Sequence, residues 1–222
     1  MMNRKSEGRA TTRDKSRRTG RTALNRERVV KAALEMLDRD GVERFSLRRL
    51  AEHLDVTPMA VYNHVNSKQA LLRAVAEYVV AGAKYRVVRG DWCAAVRDCF
   101  RTLRRTCLAH PGAVSLIESA EALPPSIFRP MEITLTALEG AGLSSPDALR
   151  AYFLLTTFTL GQASYQIRGW GRGVDPGAAI RDDRLERDAF PTVVHAVSSK
   201  PWDFDASFEF GLSVIIAGLA GR

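Results

Sequence analysis

From Asn25 onward, apolar side chains recur at intervals of three and four. Val29, Val30, Ala33, Leu34 and Leu37 share one helical face until Gly41, a favoured residue just past a helix end. Asn25 is placed to cap this helix, and Leu24 to staple onto Val29. The grammar then repeats twice. Ser46 precedes a face of Leu47, Leu50, Ala51 and Leu54, with Phe45 and Leu50 as the staple pair. Thr57 precedes Pro58 at a first helical position, with Val56 stapled to Val61. Asp55-Val56 leaves room only for a tight corner, which is helix-turn-helix geometry. A longer fourth helix is predicted through Leu71, Leu72, Val75, Tyr78 and Val79 to about Tyr85.

Beyond Gly90 the same periodicity predicts helices near 91–109, 111–119, 125–140, 146–169, 187–199 and 203–221. No strand alternation competes, so the expected class is all-α: an N-terminal three-helix helix-turn-helix domain followed by a larger helical domain. The expected divisions are a flexible arm over 1–24, the helix-turn-helix domain over 25–70 and the helical domain over 71–222. The Gly-, Arg- and Asp-rich stretch 169–186 reads as a loop. The apolar run 151–165 is interrupted by Thr156, Thr157, Thr159 and Gln162 and falls short of the roughly 20 residues a membrane span needs, so no membrane partner is expected.

Charge sharpens this picture. The 222-residue chain carries a formal net charge of +8, and residues 1–24 hold eight Lys and Arg against two acids. A basic arm beside a helix-turn-helix points to nucleic acid, either by entering the minor groove or as a solvated tail. Cys93, Cys99 and Cys107 form no CxxC pair and share helical faces with Trp92, Val96, Phe100 and Leu103, so they read as core, with no metal site and no cofactor expected. A reducing, cytoplasmic setting fits them.

The third helix is the chemically suggestive element. A short helix presented N-terminus first aims free amides at phosphates, while its exposed side chains enter the major groove of double-stranded DNA. Thr57, Pro58, Met59, Ala60, Tyr62, Asn63 and His64 are the candidates. Asn63 suits a base edge, Met59 and Ala60 a thymine methyl, and Tyr62, His64 and Lys68 the phosphates; Arg48 suits either a guanine edge or a phosphate. The segment FSLRRLAEHLDVTPMAVYNHVNSKQALL (45–72) resembles the DNA-binding motif of the tetracycline-repressor (TetR) family through Ala51, the Val56 corner, Tyr62, His64-Val65 and Lys68 before Leu71-Leu72. It departs at Asp55, where the family usually has Gly for a left-handed backbone; Asp tolerates that region better than most residues. The resemblance implies a transcriptional repressor that binds a palindromic operator as a homodimer and is released by a small-molecule effector.

The last helix is apolar nearly all round, so two of its faces must be covered. With the helix LRAYFLLTTFTLGQASYQI it suggests a four-helix dimer interface involving Leu149, Phe153, Gly161, Phe208, Gly211, Leu212, Ile215, Gly218 and Leu219. FTLG (158–161) and FEFGL (208–212) are similar to the tetracycline-repressor type of C-terminal domain. That likeness implies an effector pocket, for which Phe100, Leu103, Phe128, Met131, Leu135, Phe158, Gln162 and Gln166 offer apolar bulk and a few amides; the same stripe is equally plain core. His110, before Pro111, reads first as a helix cap and second as a ligand residue. Tyr165 stands where the drug repressors carry a carboxylate, so a magnesium-tetracycline complex is not the expected effector. No converging nucleophile and base is seen, so no enzyme is expected. A DNA-binding regulator without sensing is the nearer rival, and a helical carrier or enzyme the distant one.

Overall fold

Asn25, Ser46 and Thr57 cap the helices they precede. Their side-chain oxygens accept the N–H of Arg28 at 2.8 Å, Arg49 at 3.2 Å and Ala60 at 3.3 Å. A computed structural model describes residues 23–118, 125–168, 189–198 and 203–221; the basic arm up to residue 22 and the whole of the expected 169–186 loop lie outside these. The described helices are α1 (Arg26–Asp40), α2 (Leu47–Leu54), α3 (Pro58–Tyr62), α4 (Lys68–Gly82), α5 (Trp92–Ala109), α6 (Pro111–Glu118), α7 (Phe128–Gly140), α8 (Ser145–Ile167), α9 (Pro191–Ser198) and α10 (Phe204–Ala220). The class is all-α. Among the described residues no helix is long and apolar enough to cross a membrane.

Two boundaries differ from expectation. The fourth helix stops at Gly82, because Ala83 is extended, and residues 83–90 cross to α5 without helix. The helix expected from 125 begins at Phe128, behind a single 3₁₀ turn, Pro125–Ile127.

The first core gathers Val29, Val30, Ala33 and Leu37 of α1, Leu50 and Leu54 of α2, Val61 of α3 and Leu71, Val75 and Val79 of α4. It is completed by Ala113 and Leu116 of α6. A second core joins α5, α7, α8 and α10 through Phe100, Leu138, Leu155, Phe208 and Leu212. The helix-turn-helix head thus shares α4 and α6 with the rest of the molecule.

The junction is a backbone-to-backbone contact. The Asp38 carboxylate, near the end of α1, accepts the Gly112 N–H at 2.8 Å and lies 3.1 Å from His110 Nδ1. A Cβ on Gly112 would stand 2.3 Å from the Leu37 carbonyl carbon and 2.6 Å from the Asp38 nitrogen, so only glycine lets α6 approach α1 this closely. Gly112→Ala is expected to cost about 1–3 kcal/mol, the usual price of an unrelieved overpacking, read as a lower midpoint in denaturant unfolding. Gly82→Ala, whose Cβ meets nothing within 4 Å, serves as control and is expected to leave the midpoint unchanged or raise it.

Candidate nucleic-acid interface and effector domain

The corner between α2 and α3 is set by one left-handed residue. Asp55 has φ 55° and ψ 49°, and no other described non-glycine residue has positive φ. The next amide, Val56 N–H, reaches back to Ala51 O at 3.0 Å, closing α2 in the manner of a glycine C-cap. The chain then enters α3 through Thr57, with Pro58 at its first position.

A single buried side chain, Val61, roots this five-residue helix in the head core. Its other residues are exposed or half-buried. Met59 is 70% exposed and Tyr62 49%; Thr57, Pro58 and Asn63 are exposed, and Ala60 and His64 half-buried. The seven candidates on and beside α3 are therefore all at least partly open to solvent.

The two cations proposed from α2 and α4 are already engaged. Arg48 pairs with Glu52 at 3.2 Å one helical turn on; both are well exposed, so the pair is weak and can exchange. Lys68 Nζ donates to Phe45 O at 2.8 Å and lies 5.8 Å from the Phe45 ring centroid. It braces the loop before α2 and keeps further N–H donors. Sequence reasoning missed Arg49, which donates to Arg44 O at 2.6 Å and to Asp40 at 3.0 Å and so ties the α1–α2 loop to α2.

In the larger domain, Phe100, Leu103, Met131, Leu135 and Phe158 do come together between α5, α7 and α8. Phe158 stacks on Phe208, ring centroids 5.7 Å apart, in the space left by Gly211, where a Cβ would meet the ring at 2.4 Å. Gln166 accepts from Arg104 at 2.6 Å, and Gln162 is half-buried on α8. Phe128 and Tyr165 are more than half exposed, and His110 faces Asp38 at the head. These three stand apart from the other candidates.

Three arginines along α5 hold α10. Arg97 donates to Ser213 at 2.9 Å, Arg101 clasps Glu209 through two bonds of 2.7 and 2.6 Å, and Arg104 donates to Asp205 at 2.6 Å. Partner numbers fall as the arginine numbers rise, so the helices run antiparallel. Arg101 holds the Glu209 carboxyl below its usual range. Arg104 is buried and also lies 4.8 Å from the Phe208 ring centroid.

Of the residues expected at a dimer interface, Phe208 and Leu212 are buried within the protomer, and Gly211 faces Phe158. Leu149, Phe153 and Gly218 are exposed, Gly161 half-exposed, and Ile215 and Leu219 line an outer groove of about 350 Å³ between α8 and α10. Leu154, Phe210 and Val214, outside the residues singled out for the interface, are 53%, 73% and 54% exposed.

A capped α2–turn–α3 unit with an outward reading face, joined to a helical domain with an uncovered apolar flank, defines a helix-turn-helix DNA-binding regulator. Residues 29–75 match the family described as bacterial regulatory proteins, tetR family, and residues 87–222 match the tetracyclin repressor-like C-terminal domain. The chain belongs to the TetR family of transcriptional regulators. It is 31% identical over 209 residues to the class A tetracycline repressor protein from transposon 1721 of Escherichia coli, covering 90% of this chain and 93% of that one. ActR of Streptomyces coelicolor, solved with actinorhodin, superposes with a TM-score of 0.75 at 32% identity, covering 90% of this chain and all of that one. BioQ, solved with its double-stranded DNA operator, gives 0.64 at 26% identity, covering 90% of this chain and all of that one.

Tyr62→Ala and Asn63→Ala are each expected to cost about 1–3 kcal/mol of operator affinity while leaving thermal unfolding unchanged, because both side chains are exposed. Val61→Ala should lower thermal stability instead. Asp55→Gly relieves a left-handed strain of about 1–2 kcal/mol, less glycine's own entropic cost, and a modest rise in melting temperature checks it.

Proposed function

We propose that this protein is a repressor that grips a palindromic operator as a homodimer and lets go when an effector enters the α5–α7–α8 region. The observation that carries this reading is the outward face of α3, where a single buried valine anchors the helix and the surrounding side chains are left for DNA. Met59, Ala60, Tyr62 and Asn63 are assigned to base edges and nearby phosphates, and Thr57, Pro58, His64, Arg48 and Lys68 to the backbone. The shared core of head and α6 favours a sensing role over a plain DNA-binding one, because it couples two sites mechanically. The relatives solved with actinorhodin and with an operator support the two halves of the reading.

We assign the dimer contact to Leu149, Phe153, Leu154, Gly161, Phe210, Val214 and Gly218, the exposed face of α8 and α10. We assign no catalytic activity, and a place of action in the cytoplasm.

Selection of bound sequences from a random DNA pool by the ligand-free protein is expected to enrich one palindrome; salt-sensitive binding without enrichment would sink the operator reading. Phe210→Glu with Val214→Glu should turn the dimer into a monomer by sedimentation. Operator affinity should then collapse although each head stays folded, since one half-site buries too little surface for tight binding.

A further inference from the structure

The chain between α4 and α5 leaves an open groove along one side of α7. Residues 83–90 run without helix, turn at Gly90, whose φ is 82°, and enter α5 through Asp91, which accepts the Ala94 N–H at 2.9 Å. Arg86 fastens the segment to Asp98 of α5 at 2.6 Å. Val87, Val88 and Trp92 form one wall, and Ile133, Ala137 and Gly140 of α7 the other, around a space of about 490 Å³. That volume falls within the range of small-molecule sites. Met131, Leu135 and Leu138 pack into the second core, so the groove runs along a different stripe of the helix.

We propose that this groove binds a small amphiphilic anion, an alkyl chain ending in a carboxylate, with the chain on the apolar walls and the carboxylate held by Arg89 and Arg129. Both arginines are exposed and line the groove. Among the described residues neither guanidinium has a hydrogen bond or an ion pair, whereas Arg97, Arg101 and Arg104 on α5 are all engaged. A guanidinium can give a carboxylate two parallel N–H bonds. Glu132 is the one acid among the lining residues, so the rim keeps an excess of positive charge. Val87, 55% exposed, is apolar surface that the chain would cover.

Shape favours a chain over a compact ring system. The lining residues of α7 run from Arg129 to Gly140, about 16 Å at 1.5 Å per residue. A Cβ added at Gly90 or Gly140 would meet nothing within 4 Å, so the space beside both is open. A neutral alcohol would gain the walls without the guanidinium groups. The site is separate from the α5–α7–α8 region assigned to the effector and does not depend on that assignment.

The test is calorimetry on the full-length protein with octanoate and octanol as probes. Octanoate should bind once per chain and about tenfold more tightly than octanol, the ratio for one hydrogen bond to a charged group. Arg89→Gln and Arg129→Gln should each bring octanoate toward octanol. Glu132→Gln should tighten octanoate, a gain that loss of folding cannot mimic. Thr136→Trp, at an exposed lining position, should weaken both probes. With Trp170→Phe and Trp202→Phe in place, Trp92 is the sole tryptophan, and its emission should shift on adding octanoate. Equal affinity for the two probes, or octanoate binding indifferent to both arginine variants, overturns the anion. Octanoate binding that leaves Trp92 emission unmoved and survives Thr136→Trp overturns the groove, and failure of octanoate to bind overturns both.

Discussion

Gly112 has no side chain to spare because α6 is pressed onto the backbone of α1. That contact brings the Leu37 carbonyl and the Asp38 amide within reach of a Cβ that is not there, and Asp38 secures it by accepting the Gly112 N–H and facing His110. A three-helix head of this size buries little apolar surface by itself. Ala113 and Leu116 of α6, with Leu71, Val75 and Val79 of α4, supply the missing part. The head's stability and its orientation therefore depend on the same two helices, and neither can move without disturbing the reading face.

What the sequence made legible was local. Helix caps at Asn25, Ser46 and Thr57 act over three residues, and the left-handed Asp55 stands where the family resemblance implies a residue of that conformation. The exposed face of α3 was readable for the same reason, since Val61, stapled to Val56, marks the inner side of a short helix. Lys68 shows where this stops: its partner, the Phe45 carbonyl, lies 23 residues away, and a basic residue beside a recognition helix carries no mark of that engagement.

The larger domain was less readable because its contacts are distant. Arg104 meets Asp205 across 101 residues, and His110 meets Asp38 across 72. Nothing in either neighbourhood announces the other. In α10 the difficulty was different: a helix apolar on every side gives no periodicity with which to separate core from interface. Packing resolves it, with Phe208, Leu212 and Ile216 turned inward on α5 and α8, and Phe210 and Val214 left outside.

These distant contacts converge on α5. Its 18 residues span about 27 Å at 1.5 Å per residue, enough to touch each working part of the protomer. Its first half holds the inter-helix segment through Arg86 and Asp98, its length is clasped to α10 by three arginines, and its end is fastened to α1 through His110. Arg104 cannot slide freely, since a buried guanidinium that leaves Asp205 and Gln166 loses the groups that offset its desolvation. α5 is thus fastened at both ends, to α10 along the apolar flank and to α1 in the head. Because packed interfaces of this kind settle into discrete arrangements, the spacing of two heads on a palindrome depends, under the proposed function, on how α5 is seated.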